Sequence, residues 1–171
     1  MKTYCSKFKS YLSDLAAKTP APGGGSAVAI SGCMGIALIE MAMQYSLTQK
    51  REDINELCEI RKKIFPVIDK DAQYFAAVMK AKPANRLPFI KKSEGLTIGV
   101  GLGAIKVAQI AKKREAEIKM NIKSDFVLGL DFLQICLKGC LLNLEGNRAM
   151  FGSASTFINT FQKALKQWPN C

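Results

Sequence analysis

A proline- and glycine-rich stretch, TPAPGGGS at residues 19–26, restricts the fold of this chain more than any other segment. Pro20 and Pro22 each fix φ and remove a backbone donor, and three consecutive glycines open conformations that other residues adopt only at a cost. No helix runs through such a stretch. Ser26 stands where a helix N-cap is expected, because good helix formers follow from Ala27 onward. The sequence therefore predicts a loop that ends in the N-terminus of a helix.

The glycines of this loop allow two interpretations. Gly23, Gly24 and Gly25 leave room for a ligand to approach free amide groups, and the helix dipole favours a carboxylate or phosphate there. The alternative is a helix-to-helix turn with a cap. The stretch lacks the Gly-Lys-Ser/Thr ending of a phosphate-binding P-loop, and it is not a GxGxxG motif after a strand. Local sequence leaves both interpretations open.

The spacing of apolar residues predicts helices along the whole chain and no strand. We therefore expect an all-α single domain over residues 1–171, a bundle of about five to six helices with long antiparallel members. The predicted helices are 3–17, 26–48, 51–79 with a bend at Pro66, 93–119, 124–143 and 157–165. Residues 80–88 and 145–155 are predicted to be loops, because proline or glycine interrupts the pattern.

The first two predicted helices differ in character. The first is amphipathic and is expected to lie across the core. The second is apolar nearly all round, which indicates burial on more than one side. Its small residues Ala29, Gly32 and Gly35 are expected to let another backbone approach closely, and a symmetric partner helix is one candidate for that backbone.

Composition excludes several classes of partner. With 49% hydrophobic and 23% charged residues, the chain of 171 residues is typical of one globular domain. Its net charge of +11 favours an acidic ligand or partner. The basic residues are dispersed and lack interleaved aromatic residues, so nucleic-acid binding is not expected. The uncharged segment 23–39 is shorter than a typical membrane span and includes the three loop glycines, so a buried helix and no membrane association are expected.

Cysteine and histidine usage limits the chemistry further. The chain has six cysteines and no histidine. Cys136 and Cys140 would share a helix face, but without a CxxC pair or histidine no metal site is expected. The basic, polar start of the chain is unlike a signal peptide, so we expect free thiols and a cytoplasmic protein. Without histidine, proton transfer falls to Asp, Glu, Lys, Tyr, Cys or water.

Four separated blocks resemble a known family. TPAPGGGS leads into an Ala/Gly-rich helix that ends at Tyr45, Ser46, Leu47 and Thr48, and the other blocks are DKDAQYFAAVM at 69–79, NIKSD at 121–125, and Lys138-Gly139 followed by Asn143. In content and order they are similar to the cyclodeaminase/cyclohydrolase family. This family includes the cyclodeaminase domain of formiminotransferase-cyclodeaminase and single-domain methenyltetrahydrofolate cyclohydrolases.

The resemblance implies a helical subunit, commonly a homodimer, that binds a tetrahydrofolate derivative and needs no cofactor or metal. It implies one of two reactions. A 5-formimino-tetrahydrofolate cyclodeaminase releases ammonia as N10 attacks the formimino carbon, and a 5,10-methenyl-tetrahydrofolate cyclohydrolase adds water to give the 10-formyl compound. Both pass through a tetrahedral carbon flanked by nitrogens, so both need a group that moves a proton. The sequence does not choose between them.

The resemblance also implies site residues. Asp125 is the first candidate for the acid/base group or for a contact with the pterin ring, and Asp71 is the second carboxylate. Their structural alternatives are a helix-dipole partner and a surface position. The expected substrate-binding residues are Pro22, Gly23, Gly24, Gly25, Ser26, Lys138 and Asn143. Asn143 follows Asp125 by 18 residues, so the two share a helix face but lie about 27 Å apart along it.

Three alternatives remain for these assignments. Lys138 is either a contact for a folate carboxylate or a solvated lysine, and Asn143 is either a ligand contact or part of an interhelical hydrogen bond. The positive charge suits a polyglutamylated folate tail. The alternative function is a non-catalytic helical protein of the same fold that recognises an acidic ligand or partner.

Overall fold

The computed structural model describes residues 4–47, 51–153 and 155–168, and within these ranges every regular element is helical. The α-helices are α1 (Cys5–Ala16), α2 (Gly24–Ser46), α3 (Arg51–Ile64), α4 (Val67–Lys80), α5 (Leu87–Arg114), α6 (Lys123–Phe151) and α7 (Phe157–Lys166). Short 3-10 turns occur at Pro83–Asn85, Glu115–Glu117 and Met120–Ile122. The predicted all-α class is confirmed. The predicted helix ends Thr3 and Thr48 lie outside the described residues.

The antiparallel pair of α2 and α6 forms the centre of the molecule. A Cβ added to Gly35 would lie 2.7 Å from the carbonyl oxygen of Gly129, and one added to Gly129 would lie 2.9 Å from that of Gly35. Three residues earlier on α2, a Cβ at Gly32 would lie 2.9 Å from the Sγ of Cys136. We call this row of close approaches the glycine seam. The backbone that these glycines admit is α6 of the same chain, and not the helix of a symmetric partner.

The other helices pack around this pair. α3 and α4 contact α2, while α5 contacts α6 and α4, and α7 contacts α6 and α5. The largest fully buried side chains come mainly from α2 and α6 and include Phe126, Ile36, Met43 and Leu137. Together they form one continuous hydrophobic core.

The first helix does not lie across this core, contrary to the prediction. Tyr4 just before α1 is 70% exposed, and Phe8 and Leu12 within it are 41% and 49% exposed. The apolar residues at and near α1 whose spacing predicted burial are therefore largely exposed to solvent in this chain. The physical reason is that α3, α4, α5 and α6 already cover the buried faces of α2.

Helix ends differ from the sequence prediction at several proline and glycine residues. The chain separates into α3 and α4 around Pro66, rather than bending as one helix. α5 begins six residues earlier than predicted, because Pro88 lies in its first turn, where the missing donor does no harm. α6 continues through Gly146 and ends at Gly152, whose φ of 69° suits glycine.

Three helical segments are long and apolar enough to cross a membrane by length and composition: Gly24–Ser46, Leu87–Glu117 and Met120–Phe151. In the folded chain each of them contributes buried residues to the core. The buried share of the most apolar window is 50%, 50% and 44%, respectively. The absence of membrane association stays a prediction.

Candidate active site

A cavity of about 310 Å³ lies where α2 begins and α6 ends. The loop before α2 and the first turn of that helix form one wall, and the last two turns of α6 form the opposite wall. α4 and α5 close the remaining sides. The residues that line it include Gly23, Gly24, Gly25, Asp71, Ala72, Phe75, Ser93, Thr97, Asn143 and Asn147. Segments far apart in sequence thus meet at one end of the bundle.

The glycine wall presents a helix N-terminus to this cavity. α2 starts at Gly24, with Gly23 as its N-cap, and the first turn closes with the Ala27 amide donating to the Gly23 carbonyl at 3.1 Å. The amides of residues 24–26 have no acceptor within their own helix. The predicted capping role of Ser26 is wrong, because the helix begins two residues before it. Ser26 is instead fully buried, with its hydroxyl 3.2 Å from that of Tyr11.

Asp71 is the carboxylate of the cavity. It projects from α4, is only 8% exposed, and accepts a hydrogen bond of 3.2 Å from the Ser93 hydroxyl at its Oδ1. A Cβ added to Gly25 would overlap all three atoms of this carboxyl group. Gly25 is therefore needed for the close approach of Asp71 to the start of α2. The alternative of a surface position for Asp71 is excluded.

Burial raises the pKa of Asp71, and the hydrogen bond from Ser93 opposes this only in part. The carboxyl group consequently keeps its proton to a higher pH than an ordinary aspartic acid. A buried acid whose pKa is raised, and which faces a cavity, is suited to general acid–base chemistry.

The opposite wall carries two asparagines. Asn143 and Asn147 are four residues apart on α6 and are both half-buried. A Cβ added to Gly24 would lie 3.3 Å from the Oδ1 of Asn143, so α2 and α6 remain close at this end of the pair. Neither side-chain amide forms a hydrogen bond to the part of the chain that the structure describes. Each can therefore donate to and accept from a ligand.

The other residues expected at the site lie elsewhere. Pro22 is half-buried in the loop, after a cis peptide bond, but it does not line the cavity, and neither does Ser26. Lys138 is exposed on another face of α6. Asp125 is in the first turn of α6, about 27 Å along the helix from Asn143. The structure therefore brings together Asp71, the three glycines and Asn143 but not Asp125 or Lys138.

Sequence reasoning missed several residues of the cavity. Ser93 was predicted only as the start of a helix, and Asn147 was assigned to a loop because Gly146 precedes it. The usable signal for Asn147 is its i+4 spacing from Asn143, which places both on one face once α6 is allowed to continue. Glu94, beside Ser93, is also buried, with an Oε1 that lacks a hydrogen-bond partner among the described residues, but it does not line the cavity.

Within the described ranges, no group of three His, Cys, Asp or Glu residues is placed to hold a metal ion. The described cysteines are free thiols, and Cys136 and Cys140 are buried in the core. Their burial is consistent with a packing role on α6. That the reaction needs no metal or cofactor stays a prediction.

Comparisons with known proteins agree with this architecture. A methenyltetrahydrofolate cyclohydrolase of Methylorubrum extorquens is 35% identical over 82 residues, which cover 43% of this chain and only 39% of that protein. The solved structure of a formiminotetrahydrofolate cyclodeaminase from Thermotoga maritima superimposes with a TM-score of 0.79 at 22% identity, covering 94% of this chain and 86% of the other. That likeness confirms the fold.

The family comparison extends over nearly the whole chain. A model of the formiminotransferase-cyclodeaminase family matches residues 7–167, a range that includes every wall of the cavity. The resemblance drawn from the four sequence blocks is thereby confirmed. The match extends from before the start of α2 to beyond the end of α6 and includes both sides of the cavity between them. This chain therefore belongs to the formiminotransferase-cyclodeaminase family.

Proposed function

We propose that this chain is a folate one-carbon enzyme, acting as a 5-formimino-tetrahydrofolate cyclodeaminase or a 5,10-methenyl-tetrahydrofolate cyclohydrolase. The observation that carries the proposal is the placement of buried Asp71 in one cavity with a helix N-terminus and two unpaired asparagine amides. Family membership and the names of the two relatives support the substrate class.

The walls of the cavity suit the flat ring and one-carbon unit of a reduced folate. The free amides at the start of α2 can donate to a ring carbonyl or to an oxygen that gains negative charge. The side chain of Phe75 gives an apolar surface, and Asn143 and Asn147 can pair with ring N–H and C=O groups. A volume of about 310 Å³ lies at the small end of ligand cavities. The tail of the substrate would therefore extend outside.

Asp71 would be the acid/base group in either reaction. In the cyclodeaminase, the carboxylate would take the proton of N10 as the N10–C bond forms, and would pass it to the departing ammonia as the bond from carbon to that nitrogen breaks. In the cyclohydrolase, the carboxylate would take a proton from the attacking water as the new C–O bond forms, and would return it to the ring nitrogen that leaves. Burial raises the pKa of Asp71 and so favours the protonated form, which is the form a general acid needs.

Asp125 enters this proposal through a second subunit. Since Asp125 is about 27 Å from the cavity along α6, it reaches a ligand there only if the ligand is long or if another copy of the chain presents Asp125, and we propose the second arrangement. The uncovered apolar residues of α1 and of neighbouring helices favour such a homodimer. The net charge of +11 favours a polyglutamylated substrate whose tail crosses the basic surface.

The decisive experiment is turnover of both folates by purified protein, with ammonia release as the signature of the cyclodeaminase. Asp71→Asn should lower kcat by about 10²–10⁴-fold for the substrate that is used, because that is the usual contribution of one acid/base group. Asp69→Asn is the matched control, since Asp69 lies on the same helix but is exposed. It should stay within about twofold of the wild type, as expected for a surface change.

Two outcomes would change the proposal. Equal kcat values for Asp71→Asn and the wild type would remove Asp71 from the mechanism. Tight binding of both folates without turnover of either would favour the non-catalytic binding protein, for which the positive charge is the supporting observation.

A further inference from the structure

A second cavity, of about 560 Å³, lies between the C-terminal half of α5 and the end of α7. It shares no lining residue with the candidate active site. Thr97 lines the first cavity and Ile105 lines the second, so the nearest lining residues of the two sites are about 12 Å apart along α5. Its size is within the range of small-molecule binding sites. Nothing in the proposed folate chemistry uses it.

The floor of this second cavity is apolar and includes an aromatic ring. Ala108 and Trp168 are 3% and 8% exposed, and Ile105 and Ala164 are half-buried beside them. The indole N–H of Trp168 donates to no acceptor among the described residues, and it is not one of the fully buried unpaired polar atoms. The floor therefore offers both an aromatic surface and an unused hydrogen-bond donor.

The rim is polar and positively charged. Lys112, Lys113, Gln109 and Gln167 line the opening, and all four are exposed. The ammonium of Lys112 contacts Glu115 at 2.7 Å, whereas Lys113 takes part in none of the ion pairs found among the described residues. A negative group at the mouth of the cavity would be close to the charge of Lys113. Among the residues that the structure describes, no acidic one lines the cavity.

We propose that this cavity binds a small, flat aromatic carboxylate. The ring lies on the floor against Trp168 and Ala108, and the carboxylate lies at the rim, where it accepts hydrogen bonds from Lys113. Aromatic surface at the floor selects for a flat ring, and charge at the rim selects for an anion. This site is separate from the folate cavity, and its occupancy does not depend on the proposed reaction.

The sole tryptophan of the chain provides a direct readout. In a ¹⁵N–¹H correlation spectrum Trp168 gives the one indole cross-peak, which is followed while 2-naphthoate is added to the full-length protein. 2-Naphthalenemethanol is the neutral probe of matched shape. We expect 2-naphthoate to shift the cross-peak saturably and to bind about fivefold more tightly than the alcohol, since an exposed ion pair contributes up to about 1 kcal/mol.

Three variants separate the two parts of the proposal. Lys113→Met should reduce the affinity for 2-naphthoate to that of the alcohol, whereas Lys91→Met, on the same helix but outside the cavity, should leave it unchanged. Ala164→Leu should obstruct the floor and weaken both probes. The dispersion of the remaining cross-peaks reports on folding in each variant. Equal affinities for acid and alcohol, or an indole cross-peak that 2-naphthoate does not move, would overturn the proposal.

Discussion

Asp71 shows how one residue links the stability of this fold to its chemistry. Its carboxyl group is withdrawn from water between α4, α5 and the start of α2, with the Ser93 hydroxyl as its hydrogen-bond partner. Burial disfavours the charged form, so the pKa of Asp71 is higher in the folded chain than in the unfolded one. The folded state therefore binds more protons than the unfolded state over the interval between these two pKa values.

This difference predicts a pH dependence of stability. The contribution of Asp71 to the free energy of unfolding is fully present below its unfolded pKa, near 3.8, and is lost as pH rises through its folded pKa. The asparagine of Asp71→Asn cannot ionise, so this variant should not lose stability from this position as pH rises. Urea unfolding at several pH values should show the variant gaining stability relative to the wild type as pH rises from about 4 to 7. A difference between them that does not vary with pH would contradict the raised pKa.

Gly25 determines where the Asp71 carboxyl group can lie. In Gly25→Ala the new methyl group overlaps that carboxyl group, so the carboxyl must move away from the cavity. We expect turnover to fall by about a hundredfold, the effect of a displacement near 1 Å in an active site. Gly99→Ala is the control, because a Cβ there meets nothing within 4 Å. Equal turnover for the two variants would show that the position of Asp71 does not limit the reaction.

At the scale of elements, the glycine seam sets how closely α2 and α6 pack. The seam has no equivalent on the exposed side of α5, where Gly95 and Gly99 have open space around them. Glycine residues in helices of this protein therefore have two different roles. Those at the seam permit a contact between backbones, whereas Gly95 and Gly99 only lower the helical propensity of α5.

The two roles predict opposite effects of the same substitution. Gly35→Ala should lower the free energy of unfolding by about 1–3 kcal/mol, because its methyl group would force the α2 and α6 backbones apart. Gly99→Ala should raise the free energy of unfolding by up to about 1 kcal/mol through helical propensity alone. Urea unfolding of both variants measures the difference. A destabilised Gly99→Ala, or a Gly35→Ala as stable as the wild type, would be inconsistent with this assignment.

The sequence predicted those elements whose signals are local. α7 was predicted at 157–165 and is found at Phe157–Lys166, because its apolar spacing is regular. α6 was predicted to end near Asn143, since Gly146 was taken as a helix breaker. In the structure Gly146 is exposed and packs against nothing within 4 Å, so the helix continues past it at little cost. Packing on the rest of α6 decides that outcome, and it is not visible in the local sequence.

The same distinction applies to the candidate site. The glycines, Asp71 and Asn143 were predicted because they stand in short motifs. Ser93 was not predicted as a site residue, because its role depends on which face of α5 meets α4. Asp125 also stands in a motif, but its spacing along α6 already placed it far from Asn143. The antiparallel packing of α2 and α6 keeps Asp125 at the end of the bundle opposite to the cavity.

At the scale of the whole molecule, large apolar side chains on several helices are exposed to solvent. Phe8 and Leu12 on α1, Phe65 after α3, and Ile135 and Leu142 on α6 are all more than 40% exposed. Where such side chains lie next to one another, they form the kind of apolar surface that a partner protein covers. The proposed homodimer would cover part of it, and would also determine which subunit presents Asp125 to each cavity.

Subunit complementation tests this arrangement. If Asp125 acts in the cavity of the partner subunit, Asp71→Asn and Asp125→Asn are each inactive as homodimers, but a mixed dimer has one intact site. Unfolding and refolding the two variants together should then recover about a quarter of wild-type activity, as random pairing of a two-fold dimer predicts. Mixed dimers without activity, or an active Asp125→Asn homodimer, would exclude a shared site.

The glycine seam also has a consequence for how substrate preference can diverge. Two walls of the cavity belong to α2 and α6, whose spacing is set by backbone contacts along the seam and leaves little freedom to change. The other two walls belong to α4 and α5, which meet through side chains such as Asp71 and Ser93. Diversification of ligand preference in this fold is therefore expected on α4 and α5. Libraries varied at Ala72, Phe75 and Thr97 should alter selectivity between folates while retaining a folded chain.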